Sequence, residues 1–314
     1  MRRFSISSWI AAGTAYANHD LQMIPFYVFY SMFGFQRTGD LAWAAGDNRA
    51  RGFLIGATAG RTTLNGEGLQ HQDGQSHLLS TPIPNCVAYD AAYAYEIAVI
   101  VHEGLRRMIG EQEDVFYYLT VENENYPHPP IPAGAREGIL RGLHQVRRAA
   151  EPTAQLLGSG AILREVLAAA DLLRDDFGVD ADVWSATSLT ELARDGASTD
   201  RWNMLHPGQE RQSWVERCLS ADRGPVIAAC DYVKALPYGI SQWVPGTYLA
   251  LGTDGFGRSD WRKDLRRFFE IDRYQVAVAT LSCLARDGTI SPERVGEAIA
   301  RYEIDPAAPD PVEI

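Results

Sequence analysis

Short apolar runs alternate with amphipathic stretches along nearly the whole chain, and this alternation restricts it to strands crossed over by helices. Met23 to Tyr30, Phe53 to Gly56, Cys86 to Tyr89 and Val115 to Val121 are dense in β-branched and aromatic residues and read as buried strands. Between them, Gly39 to Arg51 is compatible with a helix, and Ala91 to Ile109 puts Ala94, Ile97, Ala98 and Val101 on one helical face. The pattern predicts a parallel sheet covered by helices. A break follows at Tyr126-Pro-His-Pro-Pro-Ile-Pro-Ala-Gly, where prolines remove backbone donors and favour extended chain. A second α/β series then begins. Strands are expected at Gln155 to Gly158, Asp182 to Ser188, Val226 to Cys230 and Tyr248 to Gly252. Ile162, Val166, Ala169, Leu173 and Phe177 form the stripe of a helix after Ser159-Gly160. Further helices fit Leu189 to Asp195, Trp261 to Phe269, Tyr274 to Ala285 and Pro292 to Tyr302. The expected organisation is an α/β chain with one domain over 1–125, a Pro-rich linker over 126–151 and a second domain over 152–314.

Composition narrows the function classes. At 314 residues the chain can bury two cores, and 46% hydrophobic with 22% charged residues suits a folded protein. A net charge of −11 argues against a nucleic-acid partner, which needs a basic face. No apolar stretch reaches the ~20 residues of a membrane span. The two arginines at the start are not followed by a sustained apolar segment, so secretion is not expected and a cytoplasmic location is. Cys86, Cys218, Cys230 and Cys283 include no Cys-x-x-Cys pair and read as small apolar residues in a reducing compartment.

Three stretches could carry chemistry. Phe26 to Phe35 crowds six aromatics into ten positions at the end of a strand, where α/β sheets bind ligands; the competing reading is core packing. Gly56 to Thr81 is a long polar stretch containing Glu67, His71, Asp73 and His77. It reads as a substrate-facing loop, as a solvated surface loop, or as a metal site whose spacing matches no standard one. His71 is suited to act as acid, base or hydrogen-bond donor near neutral pH. The third stretch, Gly252-Thr-Asp-Gly-Phe-Gly-Arg-Ser-Asp260, is a turn expected to feed a helix capped by Ser259 or Asp260. Neither it nor Gly158-Ser-Gly160 has the glycine order of a dinucleotide site, and no Gly-x-Ser-x-Gly elbow occurs.

The run Met23-Ile-Pro-Phe-Tyr-Val-Phe-Tyr-Ser-Met-Phe-Gly-Phe-Gln-Arg37, with Gly60-Arg-Thr-Thr-Leu-Asn-Gly-Glu-Gly-Leu-Gln-His71 and Pro84-Asn-Cys86, resembles the pyrimidine-binding domain of homodimeric, thiamine diphosphate-dependent pyruvate dehydrogenase. Leu156-Leu-Gly-Ser-Gly160, Arg201-Trp-Asn-Met-Leu-His206 and Leu251 to Asp260 resemble the C-terminal transketolase-like domain of the same family. The resemblance covers about residues 8 to 310. It implies a transketolase-like fold and decarboxylation of pyruvate on thiamine diphosphate with magnesium. It also implies acetyl transfer to lipoyl groups on a dihydrolipoyl acetyltransferase core. Carried over by position, Tyr30 and Phe33 pack around the aminopyrimidine ring and His71 faces pyruvate, donating to developing negative charge. Glu67 and Asp73 lie in the same motif, with loop-ordering roles.

The family's carboxylate that contacts the aminopyrimidine ring falls just upstream of the segment matching Ser8-Trp9, where Met1 to Ser7 contains no acid. The Gly-Asp-Gly and Asn arrangement that holds magnesium diphosphate has no counterpart either. The expectation is therefore a truncated or split form, inactive alone, that acts as a homodimer or with a partner chain supplying those groups. The alternatives are a non-catalytic dimerisation or assembly module and another transketolase-like 2-oxoacid enzyme. An open edge is expected on the first sheet, greater stability after about residue 150, and proteolysis between Tyr126 and Glu151.

Overall fold

The computed structural model describes residues 2–314, with side chains from Phe4 onward; Met1, where the expected first domain and the acid-free stretch Met1 to Ser7 begin, lies outside the described residues. Among the described residues, nine strands form two sheets. β1 (Phe26–Phe29), β2 (Gly52–Ala57), β3 (Cys86–Asp90) and β4 (Phe116–Val121) make the first, in the order β1-β2-β4-β3 and parallel throughout. β5 (His144–Arg147), β6 (Ala154–Gly158), β7 (Ala181–Ser185), β8 (Val226–Ala229) and β9 (Tyr248–Leu251) make the second, in the order β5-β7-β6-β8-β9. Only β5 runs antiparallel, against β7.

Side chains alternate across each sheet, and both faces are packed except along the edge strand β1, which is why the inner strands read as continuous apolar runs. In the first sheet Leu54, Ala88, Phe116 and Tyr118 meet Trp9 and Phe35 on one face; Phe53, Val87, Tyr89, Tyr117 and Leu119 meet Ile100 and Ile139 on the other. In the second sheet Leu156, Val183 and Ile227 pack on the helices Leu163–Phe177 and Arg273–Arg286. Leu157, Trp184 and Ala228 pack on the opposite side with Leu192 and Trp243. The helix Leu163–Phe177 ends where Gly178, at φ 63°, lets its N–H reach back to the Arg174 and Leu173 carbonyls.

Several boundaries differ from expectation for identifiable reasons. β1 begins at Phe26 rather than Met23, because Pro25 has no N–H to enter the ladder. The helix from Leu189 runs to Leu205 rather than Asp195: Gly196 is no stop but a close approach, with the Trp243 ring where its side chain would be. The proline signal concealed a helix, Ala135–Arg141, and β5 within the expected linker. That helix is bracketed by Gly134 and Gly142, at φ 75° and 100°, and is too short to show a period. The longest piece there without regular structure is 126–134, with shorter ones at 142–143 and 148–151, and even the longest is tied down, with the Tyr126 hydroxyl donating to the Ala92 carbonyl at 2.5 Å. The helix after the third turn is Arg262–Phe268. Neither Ser259 nor Asp260 caps it; Trp261 stands at its N-cap, and Asp260 Oδ1 accepts from the Trp261 N–H instead.

The carboxyl ends of the strands in the two sheets face one another, and the joint between them is polar. At the carboxyl end of β3, the Asp90 N–H donates to the Thr187 carbonyl at 2.8 Å, and Ser188 Oγ donates to the Ala88 carbonyl at 2.6 Å. Glu96, fully buried, accepts from Ser185 Oγ at 2.7 Å and meets His144 Nε2 at the same distance. Ligand crevices in α/β sheets form at such carboxyl ends. No described helix is long and apolar enough to cross a membrane. The four cysteines are unpaired, Cys218 being half-buried and the others buried.

Candidate functional site

β1 delivers Tyr30 to its carboxyl end, and a single tight turn, Ser31–Phe33, swings Phe33 beside it. His71 arrives from the loop after β2 and meets both rings edge-on: its ring centroid is 5.4 Å from Tyr30 and 4.8 Å from Phe33, while those two are 6.3 Å apart. In such edge-to-face pairs the edge of one ring lies against the face of another, so the three rings lock one another's orientation. Phe33 is buried and carries the Arg37 guanidinium 4.1 Å from its centroid; Tyr30 is 47% exposed. The sequence-predicted trio Tyr30, Phe33 and His71 is thus brought together from segments some forty residues apart in sequence.

The loop holding His71 is ordered mainly from the second sheet. Asp231, just beyond β8 and fully buried, accepts from the backbone N–H of Thr62 and Thr63 at 2.8 and 2.9 Å and from Thr63 Oγ1 at 2.7 Å. Arg61, also buried, donates to the carbonyls of Thr253 and Gly255, and burial lowers the pKa of its guanidinium while Asp73 and Asp231 oppose that shift. Gln72, beside His71 and fully buried, donates to the Leu64 carbonyl at 3.1 Å and accepts the Arg258 N–H at 2.6 Å. Gly257 makes this approach feasible, since a side chain there would sit 2.7 Å from the Leu69 carbonyl. The Gly252–Asp260 stretch, read from sequence as a turn, is therefore the wall against which the His71 loop is set.

Glu67 Oε2 stands 3.9 Å from His71 Nδ1, beyond hydrogen-bond reach, and that nitrogen is buried without a partner. Asp73 points away from His71: it accepts the N–H groups of Gln75 and Ser76 at 3.0 and 2.9 Å and the Ser76 hydroxyl, which starts the short helix Ser76–Ser80. His77 is buried deeper, its Nε2 2.8 Å from Thr120 Oγ1, and burial depresses its pKa to about 4. Glu67, His71, Asp73 and His77 thus do not converge, and among the described residues no group of three or more His, Cys, Asp or Glu is placed to hold a metal ion.

Sequence reasoning missed Asp231, Gln72 and Arg61. A signal existed for the first, since an acid directly after the apolar run Val226 to Cys230 sits at a strand's carboxyl end. Gln72 and Arg61 have no such mark; their roles come from partners about 190 residues away.

Two family descriptions match the chain. The pyruvate dehydrogenase E1 component middle domain matches residues 2–129, and the transketolase-like TK C-terminal domain matches residues 142–272. The pyruvate dehydrogenase E1 component of Pseudomonas aeruginosa is 62% identical over 314 residues, covering 98% of this chain and 36% of that protein. That of Escherichia coli K12 is 55% identical over 303 residues, covering 95% and 34%. The chain thus spans about a third of the length of the curated relatives it matches. Among solved structures, transketolase from Campylobacter jejuni aligns with a TM-score of 0.60 at 18% identity, over 87% of this chain and 38% of that one. A split gene transketolase, described as an inactive beta4 tetramer, aligns with a TM-score of 0.62 at 15% identity, over 87% and 80%. At these identities the structures show a shared transketolase-like fold.

Proposed function

Because the chain belongs to the pyruvate dehydrogenase E1 component family, we propose that it supplies one wall and the substrate loop of a thiamine diphosphate site. There pyruvate is decarboxylated and its acetyl group passed to lipoyl groups of an acetyltransferase core. The observation that carries this reading is the three-ring cluster of Tyr30, Phe33 and His71 at the carboxyl end of β1. When bound, thiamine diphosphate supplies the electron sink for decarboxylation. Half-exposed Tyr30 presents a flat apolar surface suited to its aminopyrimidine ring, and Phe33, buried beneath the Arg37 guanidinium, packs beside it to complete that wall. His71, steered by both ring edges, carries a hydrogen-bonding nitrogen, Nδ1, that no group among the described residues satisfies. A substrate group that reaches this position can take up the hydrogen bond left unmade there. Asp73 orders the loop locally, and Glu67 is near enough to bias the His71 ring. The described residues do not fit magnesium, so no step is assigned to it in this chain. The diphosphate-binding groups and the ring-facing carboxylate are supplied from outside these 314 residues. The proposed division is a pyrimidine-binding domain over 1–125, a connecting region over 126–151 and a transketolase-like C-terminal domain over 152–314, supported by the extents of the two family matches.

The test is reconstitution. The chain is mixed with a separately produced chain carrying the diphosphate domain, with thiamine diphosphate and magnesium, and pyruvate-dependent decarboxylation is measured. Activity is expected only in the mixture, and His71→Ala is expected to lower it roughly a hundredfold, the scale of one lost transition-state donor. Two folded chains that associate without any decarboxylation would remove the reading. That outcome would instead favour a non-catalytic assembly module, for which the exposed apolar row on β1 and the likeness to a split gene transketolase tetramer speak.

A further inference from the structure

A second concavity lies away from the three rings, between the helix Arg262–Phe268, the start of Arg273–Arg286 and the segment 301–303. Its volume is about 750 Å³, within the range of small-molecule pockets. Seven of its lining residues are Arg or Lys and five are Asp or Glu, in a chain whose net charge is −11. Inside, two carboxylates serve three guanidinium groups: Glu124 pairs with Arg164 and Arg266, and Glu165 with Arg266 and Arg273. Arg301 is paired with Asp176, outside the lining, and leaves the balance of the inner wall unchanged. Among the described residues Arg262 donates to neutral oxygens, the carbonyls of Thr63 and Asn123 and the Asn123 amide, and makes no ion pair; Arg267 is paired with Asp272, and Asp264 and Glu303 make no ion pair, which leaves the lining with one positive charge in excess. Beside it, exposed Lys263 has no partner among the described residues. Arg266 is 4% exposed, and its Nε–H has no acceptor. Surplus positive charge, fork-shaped donors and an unsatisfied buried N–H are what a phosphoryl group satisfies. The two uncharged lining residues, Tyr274 and Tyr302, set their rings 5.0 Å apart.

The same cations hold the His71 loop. Arg262 Nε donates to the Thr63 carbonyl at 2.7 Å, and Arg266 Nη2 reaches Thr63 Oγ1 at 3.3 Å, the hydroxyl that in turn donates to Asp231. We propose that this cavity binds a small phosphorylated anion, held by Arg262, Lys263 and Arg266, and that its occupancy is transmitted through Thr63 to the loop carrying His71. Binding redirects donors that otherwise restrain Thr63, so the loop changes its order when the anion arrives. The site does not depend on the function proposed above, because it is read on the chain alone.

The probe is sodium pyrophosphate, titrated calorimetrically into the 314-residue chain, with sodium sulfate at matched ionic strength as the comparison. Saturable one-site binding is expected, at least tenfold tighter than sulfate. It is expected to weaken at least tenfold in Lys263→Glu, an exposed change that leaves folding intact, and in Arg262→Gln. Hydrogen exchange of residues 60–77 is expected to change on adding pyrophosphate to the parent chain and not to Lys263→Glu. Absence of saturable binding at millimolar pyrophosphate, or binding that both variants leave unaltered, overturns the site. Binding that leaves exchange in the loop unmoved overturns the coupling.

Discussion

Asp90 shows how much a single buried residue sets at the joint between the sheets. Its Oδ1 accepts from Thr120 Oγ1 at 2.6 Å and from the Tyr232 hydroxyl at 3.2 Å, while Glu122 approaches across Gly160 and Asp231 contributes further negative charge. Burial is the main cause that pushes its carboxyl up to about 6, with the hydroxyl donors opposing it. In the pH window from the ordinary aspartate value, about 4, up to 6, the native chain therefore holds a proton that the unfolded chain has lost. Ionising Asp90 thus costs stability as pH rises through that window. His77, which shares Thr120 Oγ1 with Asp90, has the opposite sign. Its pKa is lowered to about 4, so the unfolded chain binds more protons between about 4 and 6.5, and stability grows as pH rises there. The two slopes offset one another in the parent chain. Asp90→Asn removes one of them. Its stability relative to the parent is expected to climb between pH 4 and 6 and then level off, with a gain of about 2 kcal/mol above pH 7. Urea midpoints across that range would measure it, and a difference that is flat with pH would show that Asp90 does not titrate as its burial requires.

Among the elements, β1 is the least protected. It pairs only with β2, so its far side offers unpaired N–H and C=O groups, and Phe26, Val28 and Tyr30 stand exposed in a row on one face. Edge strands of this composition invite pairing between chains. Phe26 is committed by stacking on Phe53 at 4.5 Å, but Val28 is 59% exposed and has no comparable partner. Val28→Lys is expected to lower self-association, read by light scattering against concentration, while shifting the unfolding midpoint by no more than about 0.5 kcal/mol equivalent. Unchanged scattering would place the association surface elsewhere. The strand itself was legible because β-branched and aromatic residues in a buried sheet leave a strong local mark. The open edge was legible only through family resemblance, and the three-ring cluster only in part. Six aromatics in ten residues mark a ligand wall and a core alike, and they did divide: Phe29 and Phe35 went into the core, while Tyr30 stayed exposed. What separates the two outcomes is the His71 loop, set in place by Asp231, Arg61 and Gln72 through bonds spanning up to 194 residues, which no local pattern records.

Over the whole molecule, the chain between the sheets and the joint between them are distinct connections, and they differ in strength. The covalent one is weakest over 127–134, where the backbone is mostly exposed and without regular structure. Beyond it the helix Ala135–Arg141 packs Ile139 into the first core, β5 pairs with β7, and the Ala149 N–H is held by Asp182 at 2.9 Å. The non-covalent connection is a set of buried, charge-assisted bonds: Asp231 on Thr62 and Thr63, Glu96 with Ser185, and Arg61 on the carbonyls beyond β9. Bonds to buried charges are each worth roughly 1.5–3 kcal/mol, and cutting the backbone elsewhere removes none of them. Brief proteinase K treatment is therefore expected to nick the chain within 127–134, not throughout the 126–151 span that prolines suggested. The two pieces are expected to co-elute on gel filtration as one particle. The piece after the nick should also outlast the other on longer digestion, since its sheet has two packed faces and no exposed apolar row like that of β1. In Asp231→Ala, which strips the loop of its acceptor, the nicked pieces should separate. Cleavage within 135–151, or separation of the nicked parent, would mean that the linker rather than the polar joint holds the sheets face to face.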